Sequence, residues 1–341
     1  MTERPTWFHG KPGMELPRGP VEIASIDRDR YFGADNYDAE PGLCDAVNTA
    51  LLLDQPLLLT GEPGTGKTQL AEKLALELGL KDCLFKFETK STSVAQDLFY
   101  TFDHVARFQA AQVSSAADAL SPMRFVEFGA LGRAVINSLP AGDACQFFLP
   151  PELPSWYRGP SRAVVLIDEI DKAPSDFPND ALNEIERHYF RIREWRGGRE
   201  VHADPQLRPV VVITSNSEKQ LPDAFLRRCV FYHLQPIEPA RLEAITLRRL
   251  AALKVSSGAM LESALTLFFR LREARLDLRK RPSTAEFLAF VTALSQDAEV
   301  APDRALSAEP VLRCLATLVK APEDQEAARR HVRQSLGNAA A

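Results

Sequence analysis

The sequence is poor in cysteine and shows no pattern among the few it has. Five are scattered over 341 residues, at Cys44, Cys83, Cys145, Cys229 and Cys314, with no Cys-x-x-Cys spacing. An odd, dispersed set argues against a disulfide framework or a zinc site, and suits reduced, mostly buried thiols in a cytoplasmic protein. Long hydrophobic runs are also missing: no apolar stretch approaches the ~18 residues of a membrane span. The N-terminus lacks the basic-then-apolar order of a signal peptide. There is no excess of positive charge. The formal net charge is −5, which counts against nucleic acid as the main partner while leaving room for a local basic groove. A chain of this length can bury a core and suggests two domains.

What is present is concentrated in Leu57-Leu58-Leu59-Thr60-Gly61-Glu62-Pro63-Gly64-Thr65-Gly66-Lys67-Thr68. The apolar run predicts a buried parallel strand. Leu70, Ala71, Leu74, Ala75 and Leu78 follow at helical spacing. Between strand and helix, Gly-x-x-x-x-Gly-Lys-Thr is a phosphate-binding loop in its usual setting. Its glycines permit close backbone approach, and the helix N-terminus favours an anion. Lys67 can reach the β- and γ-phosphates, and the Thr68 hydroxyl can ligate Mg²⁺. The nucleotide-binding set is therefore Gly61, Glu62, Pro63, Gly64, Thr65, Gly66, Lys67, Thr68 and Gln69.

The fold expected around this loop is α/β, a parallel sheet sandwiched by helices, followed by a smaller all-helical domain. Residues 1–35 form an arm punctuated by proline and glycine. Residues 36–235 form the α/β domain, and residues 236–341 a helical lid. Strands are expected at 56–60, 84–87, 163–167, 209–214 and 230–234. The stretch between the second and third is too long for a simple crossover, so an insertion sits at about 89–160. Within it, 94–113 and 128–139 have helical patterns, and a proline-rich loop carries Trp156 and Tyr157. Residues 175–189 predict a helix, and 190–202 a hairpin around Gly197-Gly198.

Val164-Val165-Leu166-Ile167-Asp168-Glu169 is an apolar strand ending in two acids. Ligand crevices lie at the carboxyl ends of parallel strands, so both acids emerge beside the phosphate loop. Asp168 is placed to hold Mg²⁺ and Glu169 to polarise a water. Val210 to Asn216 ends a third strand in the same crevice, where Asn216 can orient that water or touch the γ-phosphate. Arg227 and Arg228 follow on a short helix. One or both could reach a neighbouring subunit's γ-phosphate as an arginine finger.

Together these motifs resemble an AAA+ ATPase, and within that group the MoxR branch. The resemblance runs through Leu57 to Thr68, Val164 to Pro174, Thr214-Ser215-Asn216, and Leu221-Pro222-Asp223-Ala224 with Arg228. The branch is carried by Ala173-Pro174 after the acids and Leu221-Pro222-Asp223-Ala224 before the arginines. The resemblance covers about residues 40–240 well and the lid loosely. It implies ATP and Mg²⁺ as cofactors, with Thr68 and Asp168 on the metal and Glu169 as the catalytic base. Asn216 becomes the first sensor and Arg228 a finger acting in trans. It further implies a ring of like subunits, usually a hexamer, that remodels or matures a protein client in a chaperone-like way, often with a partner bearing a von Willebrand factor type A domain. Two rival classes remain: a nucleic-acid motor or loader, and a low-turnover nucleotide switch.

The chain departs from the MoxR pattern at three points. Asp171-Lys172 stands where Asn-Arg is common, and Arg227-Arg228-Cys229 where Asp-Arg-Phe is usual. The expected second-sensor arginine is absent at Ser283-Thr284-Ala285-Glu286. Either Lys280 or Arg281 substitutes for it, or Ser283 or Thr284 merely caps a helix with Glu286 completing the box. Trp156, Tyr157 and Trp195 either grip a partner or anchor their loops. Arg187, Arg191, Arg193, Arg196 and Arg199 near the hairpin alternate with Glu186, Glu194 and Glu200, which reads as a solvated mixed-charge surface.

Overall fold

The computed structural model describes residues 33–113, 121–149, 152–195, 198–216, 219–253, 255–273, 276, 278–297 and 299–336. The proline-rich arm up to residue 32, Arg196 and Gly197 lie outside them. The chain divides into two compact units. One comprises Ala39–Gln235, and the other the described residues from Pro236 onward together with residues 33–38.

In the first unit, helix α1 (Pro41–Leu53) starts with proline at its first turn and stops at Asp54, which adopts a left-handed conformation. Strand β1 (Leu57–Thr60) is buried throughout and feeds helix α2 (Lys67–Glu77). Strands β2 (Leu84–Glu88), β5 (Val164–Asp168), β8 (Val210–Ser215) and β9 (Val230–His233) complete a five-stranded sheet of order β2-β5-β8-β1-β9. Every pairing in it is parallel. Side chains alternate between the two faces of a strand. Leu58, Val165, Ile167, Val211 and Ile213 pack into a core with helices α4 (Ala130–Asn137) and α6 (Phe177–Arg187). The opposite face carries α1 and α2. Burial on both faces explains why these strands read as unbroken apolar runs.

The insertion differs from expectation. Residues 94–113 do not form one helix. They contain a 3₁₀ turn (Ala95–Leu98), strand β3 (Tyr100–Phe102) and helix α3 (His104–Val113). Leu98, Phe99 and Tyr100 are buried consecutively, and such a short run does not separate helix from strand by period alone. Asp103 starts α3 by accepting the Ala106 N–H at 2.8 Å. Residues 126–128 form strand β4, antiparallel to β3, before α4 begins. Gly129 joins them where an added Cβ would lie 2.2 Å from the Asp97 carbonyl oxygen. A four-residue helix, α5 (Ala141–Ala144), follows. After α6 comes the expected antiparallel hairpin, β6 (Tyr189–Ile192) and β7 (Arg199–His202). Helix α7 (Asp223–Leu226) leads into β9.

The second unit contains α8 (Pro239–Leu250), α9 (Ala259–Arg272), α10 (Thr284–Ser295), α11 (Ala308–Leu318) and α12 (Pro322–Leu336) around its own core, including Phe268, Phe287 and Phe290. Ser283 and Glu286 form a capping box on α10: the Ser283 hydroxyl accepts the Glu286 N–H at 3.3 Å, and the Glu286 carboxylate accepts the Ser283 N–H at 2.7 Å. Buried Asp324 accepts the backbone N–H groups of Arg279 and Lys280, both at 3.0 Å. No helix among the described residues is long and apolar enough to cross a membrane.

Candidate active site

Strand β1 delivers the chain into a loop whose Gly61, Gly64 and Gly66 all have positive φ. At Gly61 a Cβ would also press on the Leu234 carbonyl oxygen at 3.0 Å, so both conformation and space call for glycine. The Thr65 hydroxyl donates to the Glu62 carbonyl at 2.8 Å and holds the turn. Lys67 is buried at 6 % exposure, and its ammonium donates to the Gly61 and Glu62 carbonyls, both at 2.9 Å. Burial pulls its pKa below the ordinary lysine range, opposed by the carboxylates of Asp171, Asp168, Glu169 and Glu62. A buried cation folded back on carbonyls is one that phosphate oxygens can satisfy better. Gln69, half-buried, lies in the first turn of α2.

The acid pair ends β5 beside this loop. The Thr68 hydroxyl donates to the Asp168 carboxylate at 3.1–3.2 Å. A hydroxyl and a carboxylate together suit a hard cation that keeps water and phosphate oxygens as its other ligands, so the residues present fit Mg²⁺. The Thr214 hydroxyl also donates to Asp168, and it accepts the Glu169 N–H at 2.9 Å. Glu169 sits in the left-handed region, with φ 55° and ψ 52°. For a residue other than glycine that costs on the order of 1–3 kcal/mol and persists only where its surroundings fix it. Here they do: the Asn216 side-chain amide donates to one Glu169 oxygen at 2.8 Å, and the Lys172 ammonium to the other. The Asn216 backbone N–H lies 3.2 Å from each carboxylate oxygen of Asp171.

Lys67, Thr68, Asp168, Glu169 and Asn216 are thus gathered at the carboxyl ends of β1, β5 and β8. Arg227 and Arg228 are not part of this network. Arg228 pairs with Glu186 at 3.0 Å and donates to the Ala224 carbonyl at 3.2 Å. Arg227 is exposed and pairs with no described residue. Sequence reasoning missed three members of the site: Thr214, Asp171 and Lys172. Their only sequence signal is that they are polar residues close to Asn216 and to the acid pair: Thr214 two before Asn216, and Asp171 and Lys172 three and four after Asp168.

The aromatic residues of the insertion and hairpin anchor their own loops. Trp156 packs edge-on against Phe85 and Phe148, and Trp195 against Phe147, with Arg199 over both Phe147 and Trp195. The Tyr157 hydroxyl donates to the Leu139 carbonyl at 2.8 Å. Tyr100 ties β3 to the hairpin, donating to Glu194 at 2.9 Å and accepting the Arg193 N–H at 3.0 Å. Burial is the main reason its pKa is pushed up to about 12.

A phosphate loop on one parallel strand, an acid pair on a second and a polar-ended strand between them define a P-loop nucleotide-binding core of AAA+ type. Residues 56–229 match the AAA domain (dynein-related subfamily), and the chain belongs to that family. Solved structures with a similar fold include three of RuvB from Thermotoga maritima: one titled as the Holliday junction branch migration motor and two single-residue variants. Their TM-scores are 0.42, 0.43 and 0.46 at 16 %, 15 % and 16 % identity, over 83 % of this chain and 69 %, 69 % and 71 % of theirs. No curated protein matches the sequence.

Proposed function

We propose that this protein is a Mg²⁺-dependent ATPase of the MoxR branch, forming a ring and using hydrolysis to remodel a protein partner. The observation that carries the hydrolytic reading is the hold on Glu169, a carboxylate 37 % exposed and bonded to Asn216 two strands from the phosphate loop. The branch is supported by Ala173-Pro174 after the acids and Leu221-Pro222-Asp223-Ala224 before the arginines. Exposed Arg227 and Arg228 support a ring, because an arginine acting in trans needs a neighbour.

In this reading, Lys67 exchanges the loop carbonyls for the β- and γ-phosphate oxygens of ATP, and the loop's N–H groups cradle the same phosphates. Thr68 and Asp168 would hold Mg²⁺, which neutralises charge on those oxygens when bound. Glu169 accepts a proton from the attacking water, and Asn216 orients that water. Arg228 leaves its exposed pair with Glu186 to meet the γ-phosphate of the adjoining subunit. Release of that arginine after hydrolysis would let the interface between subunits change, and this is the motion delivered to a client.

The test is Glu169→Gln in a phosphate-release assay beside an ATP-binding measurement. Turnover should fall about 100-fold or more, in the range of a lost general base, with ATP still bound. Turnover within twofold of the natural protein would remove Glu169 from the role of base. Added DNA should leave the rate unchanged; stimulation that fades with salt would move the reading to a nucleic-acid motor.

A further inference from the structure

Asp171 makes no approach to the nucleotide in the reading above, yet it is the most buried acid among the described residues, at 2 % exposure. A buried carboxylate is expensive unless it receives hydrogen bonds or a counter-charge. Asp171 has both. The Asn216 N–H lies 3.2 Å from each of its oxygens, and it heads the carboxylates that act on the Lys67 ammonium.

Its place in the chain explains why such a residue is needed. The ladder between β5 and β8 runs in register only to the pair Ile167–Ile213, and on the other side β1 pairs with β8 to Ser215. Asn216 is the first residue beyond both ladders. Glu169 likewise leaves β5 into a 3₁₀ turn, Ile170–Lys172. Neither residue is fixed against the other by the sheet. Side-chain bonds do that instead: the Asn216 N–H to Asp171, the Asn216 side-chain amide to Glu169 at 2.8 Å, and the Glu169 N–H to the Thr214 hydroxyl at 2.9 Å. Only the first seizes the backbone of Asn216 itself.

We infer that Asp171 is a positioning residue for hydrolysis: it holds the backbone of Asn216 so that the Asn216 amide meets Glu169. The inference rests on the proposed roles of Glu169 and Asn216. It assigns Asp171 no contact with nucleotide or water, so its effect on kcat passes through Asn216, while the charge it presents to Lys67 bears on ATP affinity.

A double-mutant cycle tests this, with phosphate release and ATP affinity measured separately on the full chain. Asp171→Ala should lower kcat about tenfold or more while the Kd for ATP stays within about threefold. Added to Asn216→Ala, it should cost nothing further, because two residues that act as one unit are not additive. Equal losses on both backgrounds, or an ATP affinity that falls with kcat, would overturn the inference. If Asp171→Ala does not fold, Asp171→Asn carries the same cycle. It keeps an acceptor oxygen but loses the charge that strengthens the bond. A fall in kcat that disappears on the Asn216→Ala background supports the inference, whereas no fall, or one that persists there, overturns it. The wild-type rate and Glu169→Gln report on the ATPase reading itself, so the two failures are distinguishable.

Discussion

At Asp168 one carboxylate receives two hydroxyls, from Thr68 on the phosphate-loop helix and Thr214 on β8. Thr214 uses both halves of its hydroxyl, donating to Asp168 and accepting the Glu169 N–H. That single group couples the expected metal ligand to the expected base. Thr214→Val keeps the shape and removes both bonds. It strands the Glu169 N–H, at a cost of about 1–3 kcal/mol if that group cannot reach water. We expect a lower melting temperature and a several-fold higher Mg²⁺ concentration for half-maximal phosphate release. A normal melt with a normal Mg²⁺ titration would show that Asp168 does not depend on Thr214. The phosphate loop, Asp168, Glu169 and Asn216 were legible in sequence because their chemistry demands particular residue types at fixed spacing. Thr214 and Asp171 were not. Their importance lies in neighbours brought from elsewhere in the chain, and no local pattern marks a threonine or aspartate as having such neighbours.

Elements were legible where burial imposes a clear period or an unbroken run, as in β1, β5 and β8. They were misread where buried residues were few and consecutive, as at Leu98 to Tyr100. The junction of α6 and β6 turns on His188, which the expected helix 175–189 had absorbed. His188 instead ends α6 with φ 51° and is 3 % exposed. Its Nε2 lies 3.5 Å from Asp54, an ion-pair distance but not a formed hydrogen bond. Burial lowers the His188 pKa. Asp54 opposes that shift, while Arg208 and Arg162 add to it. The folded protein therefore holds this imidazole neutral while the unfolded chain takes up a proton near the ordinary value of about 6.5. The unfolded state binds more protons, so stability should fall as pH drops through that value and level off below the folded pKa. His188→Asn tolerates the left-handed backbone and cannot titrate. Thermal melts from neutral pH to about pH 5 should fall less steeply for this variant than for the natural protein. Parallel slopes would place the acid sensitivity elsewhere.

For the molecule as a whole, the open question is whether one chain contains its complete active site. Arg228 is held by a pair in which both side chains are about half exposed, at 44 % and 49 %, and by its exposed 3.2 Å hydrogen bond to the Ala224 carbonyl. Such pairs contribute about 0–1 kcal/mol, so little opposes exchanging Glu186 for a triphosphate on another copy. If the site is shared, a defect in one half can be complemented by a partner with a defect in the other. Lys67→Ala should abolish turnover by losing the nucleotide, and Arg228→Ala should abolish it while ATP still binds. Mixed in equal amounts and reassembled, the two should recover activity, because some Arg228→Ala subunits then receive the arginine of a Lys67→Ala neighbour. With random assortment, half of all sites keep Lys67, and half of those adjoin an intact Arg228. Roughly a quarter of natural activity should therefore return, given a finger supplied in trans. The check is phosphate release after mixing under conditions in which subunits exchange, with exchange verified by tagged copies. If exchange is verified and no activity returns, or if Arg228→Ala alone is fully active, the γ-phosphate is not served by Arg228 of a second chain.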